Sequence, residues 1–208
     1  FKEITDEVLN ELKFTAPKKK ESMYYSFITL NGEKMHIQTP IMTIDSEYLR
    51  KGEELNDPVC IECMDVNFLK KVDSFALKYM IENKTTWFPQ KSIDDSTFTI
   101  GQICSLQQNE DNKTRYVGKF RVEEDIQIYK EKELVGDTDI LKGQKVKCII
   151  QLIGLWFSSR TWGLSWKIIQ LKMIEGKKKK EVKYMFDDTE EVQEDTENVN
   201  LIVPPSDI

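Results

Sequence analysis

The 208-residue sequence contains no apolar run long enough to cross a bilayer. The longest, residues 148–157, is interrupted by Gln151 and Gly154 and reads as a strand. No signal peptide is recognisable, but the chain starts at Phe1 rather than Met, so a trimmed targeting segment stays open. Cysteine is scarce. Cys60, Cys63, Cys104 and Cys148 are too few for a disulfide scaffold of this size, and reduced thiols in a cytosolic or nuclear setting are expected. Cys60 and Cys63 form a C-x-x-C pair, but a zinc site needs two more ligands and His36 is the single histidine. Residues 59–64 also read as a strand, where positions three apart point to opposite faces. No metal and no cofactor are therefore expected. The sequence also lacks a P-loop, an H-E-x-x-H, a nucleophile elbow and a dinucleotide glycine pattern. No Ser, Cys or carboxylate stands in recognisable relation to His36, which reads as a strand residue. Asp94, Asp95, Asp137 and Asp139 have the chemistry to gather a magnesium ion, yet they sit in turn-like stretches where carboxylates are simply solvated. The expectation is a protein that is not an enzyme.

What is present is charge, unevenly placed. The net charge is −6, which at first sight disfavours a nucleic-acid partner. Eight of the 36 acidic residues fall in 187–208, a stretch without Lys or Arg, leaving 30 basic residues against 28 acidic ones elsewhere. The acidity sits in a tail and the body is mildly basic. A hydrophobic content of 39% and a charged content of 32% describe a globular protein.

Along the chain, 4–14 reads as a short helix capped by Thr5, and Pro17 with Lys18–Lys20 as a basic linker. Residues 24–38 alternate around Asn31-Gly32, the strongest short-range hairpin signal. The one long helix is expected over about 65–84, where Phe68, Leu69, Val72, Phe75, Ala76, Tyr79 and Met80 recur at helical spacing behind Asp65 as cap. Strands follow near 98–107, 115–122 and 126–130, then a hairpin of 145–157 with 162–174. From Asp187 the chain reads as disordered. The pattern is α+β and mostly antiparallel β, with three regions: 1–20, 21–176 and 177–208.

Pairing the last hairpin by unbroken alternation, with the turn at 158–161, sets Phe157, Leu155, Ile153, Gln151, Ile149 and Lys147 opposite Trp162, Leu164, Trp166, Ile168, Gln170 and Lys172 on one face. The other face takes Trp156, Gly154, Leu152, Ile150 and Cys148 and reads as core, with Lys167 in conflict. Tryptophans and lysines sharing one face suit a nucleic-acid strand, which needs cations along its phosphates and flat surfaces under its bases. Arg160 in the turn adds a phosphate contact. In the first hairpin the core face is Ser26, Ile28, Met35 and Ile37. The opposite face holds Tyr25, Phe27, Thr29, Lys34, His36 and Gln38, again aromatic plus basic. Arg115, Lys119 and Arg121 alternate along a later strand. Each of these sets also has a plain reading, as tryptophans packed in the core or a solvated basic face.

The acidic segment closes on Leu201-Ile202-Val203-Pro204-Pro205. It suits competition with nucleic acid for a basic groove, anchorage of replication proteins, or simple solubilisation. Residues 177–180 suit a phosphate clamp, a nuclear-localisation signal or a solvated linker.

His36-Ile37-Gln38-Thr39-Pro40 after Leu30-Asn31-Gly32, and Gly154-Leu155-Trp156-Phe157 leading to Trp162-Gly163-Leu164-Ser165-Trp166-Lys167-Ile168-Ile169-Gln170, resemble the single-stranded DNA-binding proteins of nucleocytoplasmic large DNA viruses, African swine fever virus among them. The resemblance spans roughly 20–175 and implies an OB-like β-barrel that coats single strands in viral DNA replication, repair or recombination. By position it carries over Trp162, Trp166, Lys167 and Gln170, with His36 and Gln38. A β-bulge near Trp166 would turn Lys167 outward and remove its conflict. The expected partner is single-stranded DNA, with RNA the alternative, and no membrane. The expected place is the host-cell cytoplasm at viral replication sites, with nucleus or virion as alternatives. The rival readings are a protein-binding replication or transcription scaffold and a metal-dependent nuclease.

Overall fold

The computed structural model describes residues 4–45, 59–89, 92–135 and 140–174, without the side chains of 123–125. In chain order the elements are α1 (Asp6–Asn10), β1 (Leu12–Phe14), β2 (Lys18–Lys20), β3 (Met23–Leu30), β4 (Met35–Gln38), β5 (Met42–Ile44), β6 (Val59–Cys63), α2 (Asn67–Trp87), α3 (Asp95–Gly101), β7 (Gln102–Ile103), β8 (Gln107–Gln108), β9 (Tyr116–Lys130), β10 (Glu133–Val135), β11 (Lys145–Phe157) and β12 (Trp162–Met173). Among these, β11, β5, β6, β9 and β12 pair in that order and β12 pairs again with β11. The ring closes on five strands. Its pairs are antiparallel except β9 with β12. This is the expected α+β fold built on an OB-like barrel. Closure removes the sheet edges that an open sheet would expose.

Inside the barrel Ile61, Phe120, Ile128, Ile150, Leu152 and Ile168 are fully buried. Helix α2 covers the core with Leu69, Val72, Ala76 and Met80, the apolar stripe that the helical spacing predicts. Asp65 does serve the helix start, its carboxylate accepting from the Asn67 N–H at 3.2 Å, although the cap position itself is Val66. At the far end of α2 an aromatic cluster forms. Phe14 packs on Tyr79 (4.7 Å between centroids), Tyr79 on Trp87 (5.7 Å), and Phe157 against Trp87 (6.3 Å) and Phe88 (5.8 Å).

Four local expectations change. The first helix is capped by Thr5 as expected but ends by Glu11, because Leu12 and Phe14 alternate inward and pair with Leu30 and Ile28. Lys18–Lys20 is not a linker but a strand, lying along Tyr25, Tyr24 and Met23. Residues 98–107 open as helix α3, because the Asp94 carboxylate accepts from the Ser96 N–H and starts a turn. The two strands near 115–122 and 126–130 are one, β9. The region beyond Ile174, with the basic run and the acidic tail, lies outside the described residues, as do Asp137 and Asp139.

Candidate nucleic-acid interface

The expected hairpin of 24–38 is a tight turn without a paired stem: β3 and β4 meet only at the Leu30–Glu33 bridge. Beyond it both run antiparallel to β11, β3 along 154–157 and β4 along 149–152, which fixes the reference face. Asn31 (φ 53°) and Gly32 (φ 84°) occupy the left-handed region at the tip of the turn, as a two-residue turn requires. Leu30 bridges Glu33 across it, and Ser26, Ile28, Met35 and Ile37 turn inward as the alternation predicts. The opposite residues, Tyr25, Phe27, Lys34, His36 and Gln38, therefore stand outside the barrel wall. Phe27 is 55% exposed, unusual for a phenyl ring on a sheet.

The last hairpin keeps the expected turn and departs from the expected register in the middle. Phe157 pairs with Trp162 and Gly154 with Ser165; then Leu152 pairs with Trp166, Gln151 with Lys167 and Ile150 with Ile168; and Ile149 with Gln170 restores the original frame. Two bulges, at Ile153 on β11 and at Ile169 on β12, cause this. Each bulge shifts the frame by one residue, and a one-residue shift exchanges the two faces of a strand. The bulge that would free Lys167 is thus present, and Lys167 stands on the outer face between Gln151 and Arg121.

The same bulges reverse the tryptophans. Trp162 and Trp166, expected on the binding face, are buried. Trp162 donates its indole N–H to the Phe98 carbonyl at 2.7 Å, and Trp166 donates to the Ser105 hydroxyl at 2.7 Å. A ring so enclosed has no face left for a base, so both leave the candidate site. Phe157 leaves with them, into the aromatic cluster. Trp156, expected in the core, instead comes to the outer face, half-buried beside Tyr25 on one side and Gly163 on the other. Arg115 stands before β9 and is ion-paired with Glu62, so its charge is already met. Arg160 is exposed in the turn, bordering a second concavity with Lys19 and Tyr24.

Successive pairings give the outer face as rows across the strands, in which neighbouring side chains lie about 5 Å apart. One row reads Lys18, Tyr25, Trp156, Gly163. The next is Phe27, Gly154, Ser165. Beyond the Ile153 bulge come His36, Gln151, Lys167 and Arg121, from four adjacent strands. Then follow Gln38, Ile149, Gln170 and Gln127, with Gln170 donating to Gln127 at 2.7 Å. The last row contains Lys147, Lys172 and Tyr129. Lys119 is also exposed, two residues from Arg121 on β9.

The second row is low because of its residues. Gly154 has φ 152°, and a Cβ there would lie 1.9 Å from the Ser26 carbonyl oxygen, so no side chain fits. With Ser165 beside it, the wall is cut by a groove of about 450 Å³ whose border includes Lys18, Tyr25, Phe27, Ile153 and Arg121. Glu21 is the one acid on that border among the described residues. The groove thus offers exposed aromatic surface between cations on both sides. Sequence reasoning missed Trp156, Lys18–Lys20 and the glycine floor. Gly154 and Gly163, each within a long strand, were the available signal, since an interior strand glycine marks a bulge or a close approach.

Ser105, which accepts from Trp166, is itself held by a buried carboxylate. Asp73 of α2 accepts from the Ser105 N–H (3.0 Å) and hydroxyl (2.7 Å), and its backbone carbonyl accepts from the Gln102 side chain (3.0 Å). Burial pushes its carboxyl up to about 6, although the Ser105 hydrogen bonds oppose the shift. No group of His, Cys, Asp and Glu able to hold a metal ion occurs among the described residues. Nor is any described helix long and apolar enough to cross a membrane.

A family model described as "Family of unknown function (DUF5871)" matches residues 49–188. No curated protein matches the sequence. Among solved structures, the chain is similar to gp2.5, a single-stranded DNA-binding protein of bacteriophage T7 (TM-score 0.47, 13% identity, 70% of this chain and 91% of that one). It is also similar to the single-stranded DNA-binding protein of bacteriophage Enc34 (TM-score 0.45, 11% identity, 84% and 96%), and to that protein in complex with single-stranded DNA (TM-score 0.42, 12% identity, 79% and 97%). No residue role passes from these structures to this chain.

Proposed function

The chain belongs to the family of unknown function DUF5871, and from its geometry we propose that it binds single-stranded DNA, without reading sequence, across the outer face of the barrel. One observation carries this reading. The exposed ring of Phe27 and the half-buried rings of Tyr25 and Trp156 stand in adjacent rows with Lys18 at one end and Lys167 and Arg121 beyond the groove. Unpaired bases supply flat faces for the rings, at about 1–3 kcal/mol for each base stacked, and the phosphates between them meet the cations. A duplex hides its base faces, so the arrangement favours single strands. Lys147, Lys172, Lys119, Gln38 and Gln170 extend the polar surface on the same side.

The resemblance to viral single-stranded DNA-binding proteins supports a finer assignment: protection of single strands in viral DNA replication, repair or recombination, at replication sites in the host cytoplasm. On that assignment the acidic stretch 187–208 serves as a handle for replication proteins. Titrating a fluorescently labelled oligothymidylate, followed by anisotropy at several salt concentrations with and without magnesium, tests the binding. The expected result is an affinity that falls with salt at a log–log slope of about −0.7 for each phosphate neutralised. No anisotropy change at low salt would overturn the reading in favour of a protein scaffold. Magnesium-dependent shortening of the oligonucleotide would make the chain a nuclease.

A further inference from the structure

The first row of the outer face does not stop at β11. Beyond Trp156 lies Gly163 of β12, and beyond that Ile103 of β7. A Cβ on Gly163 would lie 3.1 and 3.2 Å from two indole carbons of Trp156 and 2.8 Å from the Ile103 carbonyl oxygen. The indole therefore rests close against the bare backbone of β12. Any larger residue at 163 would lift or rotate the ring. Next to it is a concavity bordered by Ser105, Gln107, Gly118, Lys119 and Leu164.

Three features set this place apart from the buried tryptophans. The indole N–H groups of Trp162 and Trp166 are committed to Phe98 and Ser105, whereas that of Trp156 makes no hydrogen bond among the described residues. The exposed Gln107 side chain makes none among them either. Lys119 is exposed on the adjoining strand, with Glu110 the acid on the rim. A flat ring backed by glycine, a carboxamide with unmet donor and acceptor, and a cation together match one nucleotide: base, base edge and phosphate.

We propose that Trp156, seated on Gly163, is the stacking platform of a subsite for one unpaired nucleobase, with Gln107 addressing the base edge and Lys119 the adjoining phosphate. The inference rests on the single-stranded DNA reading above and extends the binding path past the groove toward β7. Such a subsite stays tolerant of sequence, because every base has a face to stack while a single carboxamide accepts several edges.

The test pairs two signals on the full chain, anisotropy of a labelled oligothymidylate and intrinsic tryptophan fluorescence. With the natural protein both respond. Trp156→Phe keeps binding by anisotropy within a few-fold but loses most of the quenching, because Trp162 and Trp166 are enclosed and Trp87 packs against Phe14, Tyr79 and Phe157 away from this face. Trp156→Ala weakens binding roughly tenfold, the range that losing one stacked base implies. Should Trp156→Ala fail to fold, Trp156→Phe alone decides. Undiminished quenching in Trp156→Phe, with binding intact, overturns the subsite and leaves DNA binding standing. No anisotropy response in the natural protein overturns the DNA-binding reading itself.

Discussion

The β3–β4 segment and the last hairpin each carry two strands around a tight turn. However, β3 and β4 both run antiparallel to β11 rather than to each other, and only they keep one alternation from end to end. Across β3 and β4 the inward Ser26, Ile28, Met35 and Ile37 are apolar or small, and the outward Tyr25, Phe27, His36 and Gln38 are aromatic, polar or basic. A turn with two left-handed residues at Asn31-Gly32 pins that frame. Between β11 and β12 the strands are 13 and 12 residues long, and two bulges a few residues apart cancel each other. Both ends of that hairpin show the simple pairing, while the faces at the turn end are exchanged. Large aromatic residues near lysines are thus not enough to identify a binding face. What decides is whether the frame is continuous between them.

The sharpest way to break this comparison is to truncate Trp166. With the ring enclosed and its N–H bonded to Ser105, Trp166→Ala is expected to cost about 3–5 kcal/mol of unfolding free energy, measured by urea denaturation. An unbroken frame predicts the reverse, full stability with lost binding.

Asp73 probes the support of the same hairpin, through Ser105. Its carboxyl titrates near 6 in the folded protein, above the ordinary carboxyl value of about 4. A raised folded value favours the native state most below about pH 4, and that contribution is lost as the pH rises through 6. Relative to Asp73→Asn, the natural protein should therefore lose roughly 2–3 kcal/mol between about pH 4 and pH 7, read from urea midpoints across that range. A pH-independent difference would remove the buried charge from the account.

On β3 the expectation is opposite in kind. Phe27→Ala should leave the melting temperature almost unchanged and cost about 1–3 kcal/mol of binding to oligothymidylate. A large loss of stability would place that ring in the core instead. The smallest effect is at the tip. Gly32→Ala forces a Cβ into φ 84° with open space around it, so about 1 kcal/mol of stability is lost with binding unaffected. A larger cost there would show that the tip, more than the alternation, secures the frame of β3 and β4.

Much of this fold was legible in the sequence because its signals were local. The Asn31-Gly32 turn, the helical spacing from Phe68 to Met80 and the turn at 158–161 each follow from a few neighbouring residues. The candidate site was legible where a face had a strict period of two, at Tyr25, Phe27, His36, Gln38, Lys119, Arg121, Lys147, Gln170 and Lys172. At Leu155-Trp156-Phe157 consecutive residues are all apolar, so alternation gives no preference between faces. The packing of Phe157 on Trp87 and Phe88, and of Trp166 on Ser105, settles the choice through contacts distant in sequence. Arg115 shows the same limit, since its partner Glu62 lies 53 residues away. Lys18–Lys20 read as a linker because strand pairing supplied by β3 leaves no periodic mark on three lysines.

The central claim is that DNA lies on the outer face at Tyr25, Phe27 and Trp156. Photo-crosslinking of an oligothymidylate to the full chain, with the linked residues mapped by tandem mass spectrometry, addresses it most directly. The account predicts adducts at Tyr25, Phe27 or Trp156. Adducts at Trp162 and Trp166, with none at those three, would contradict it.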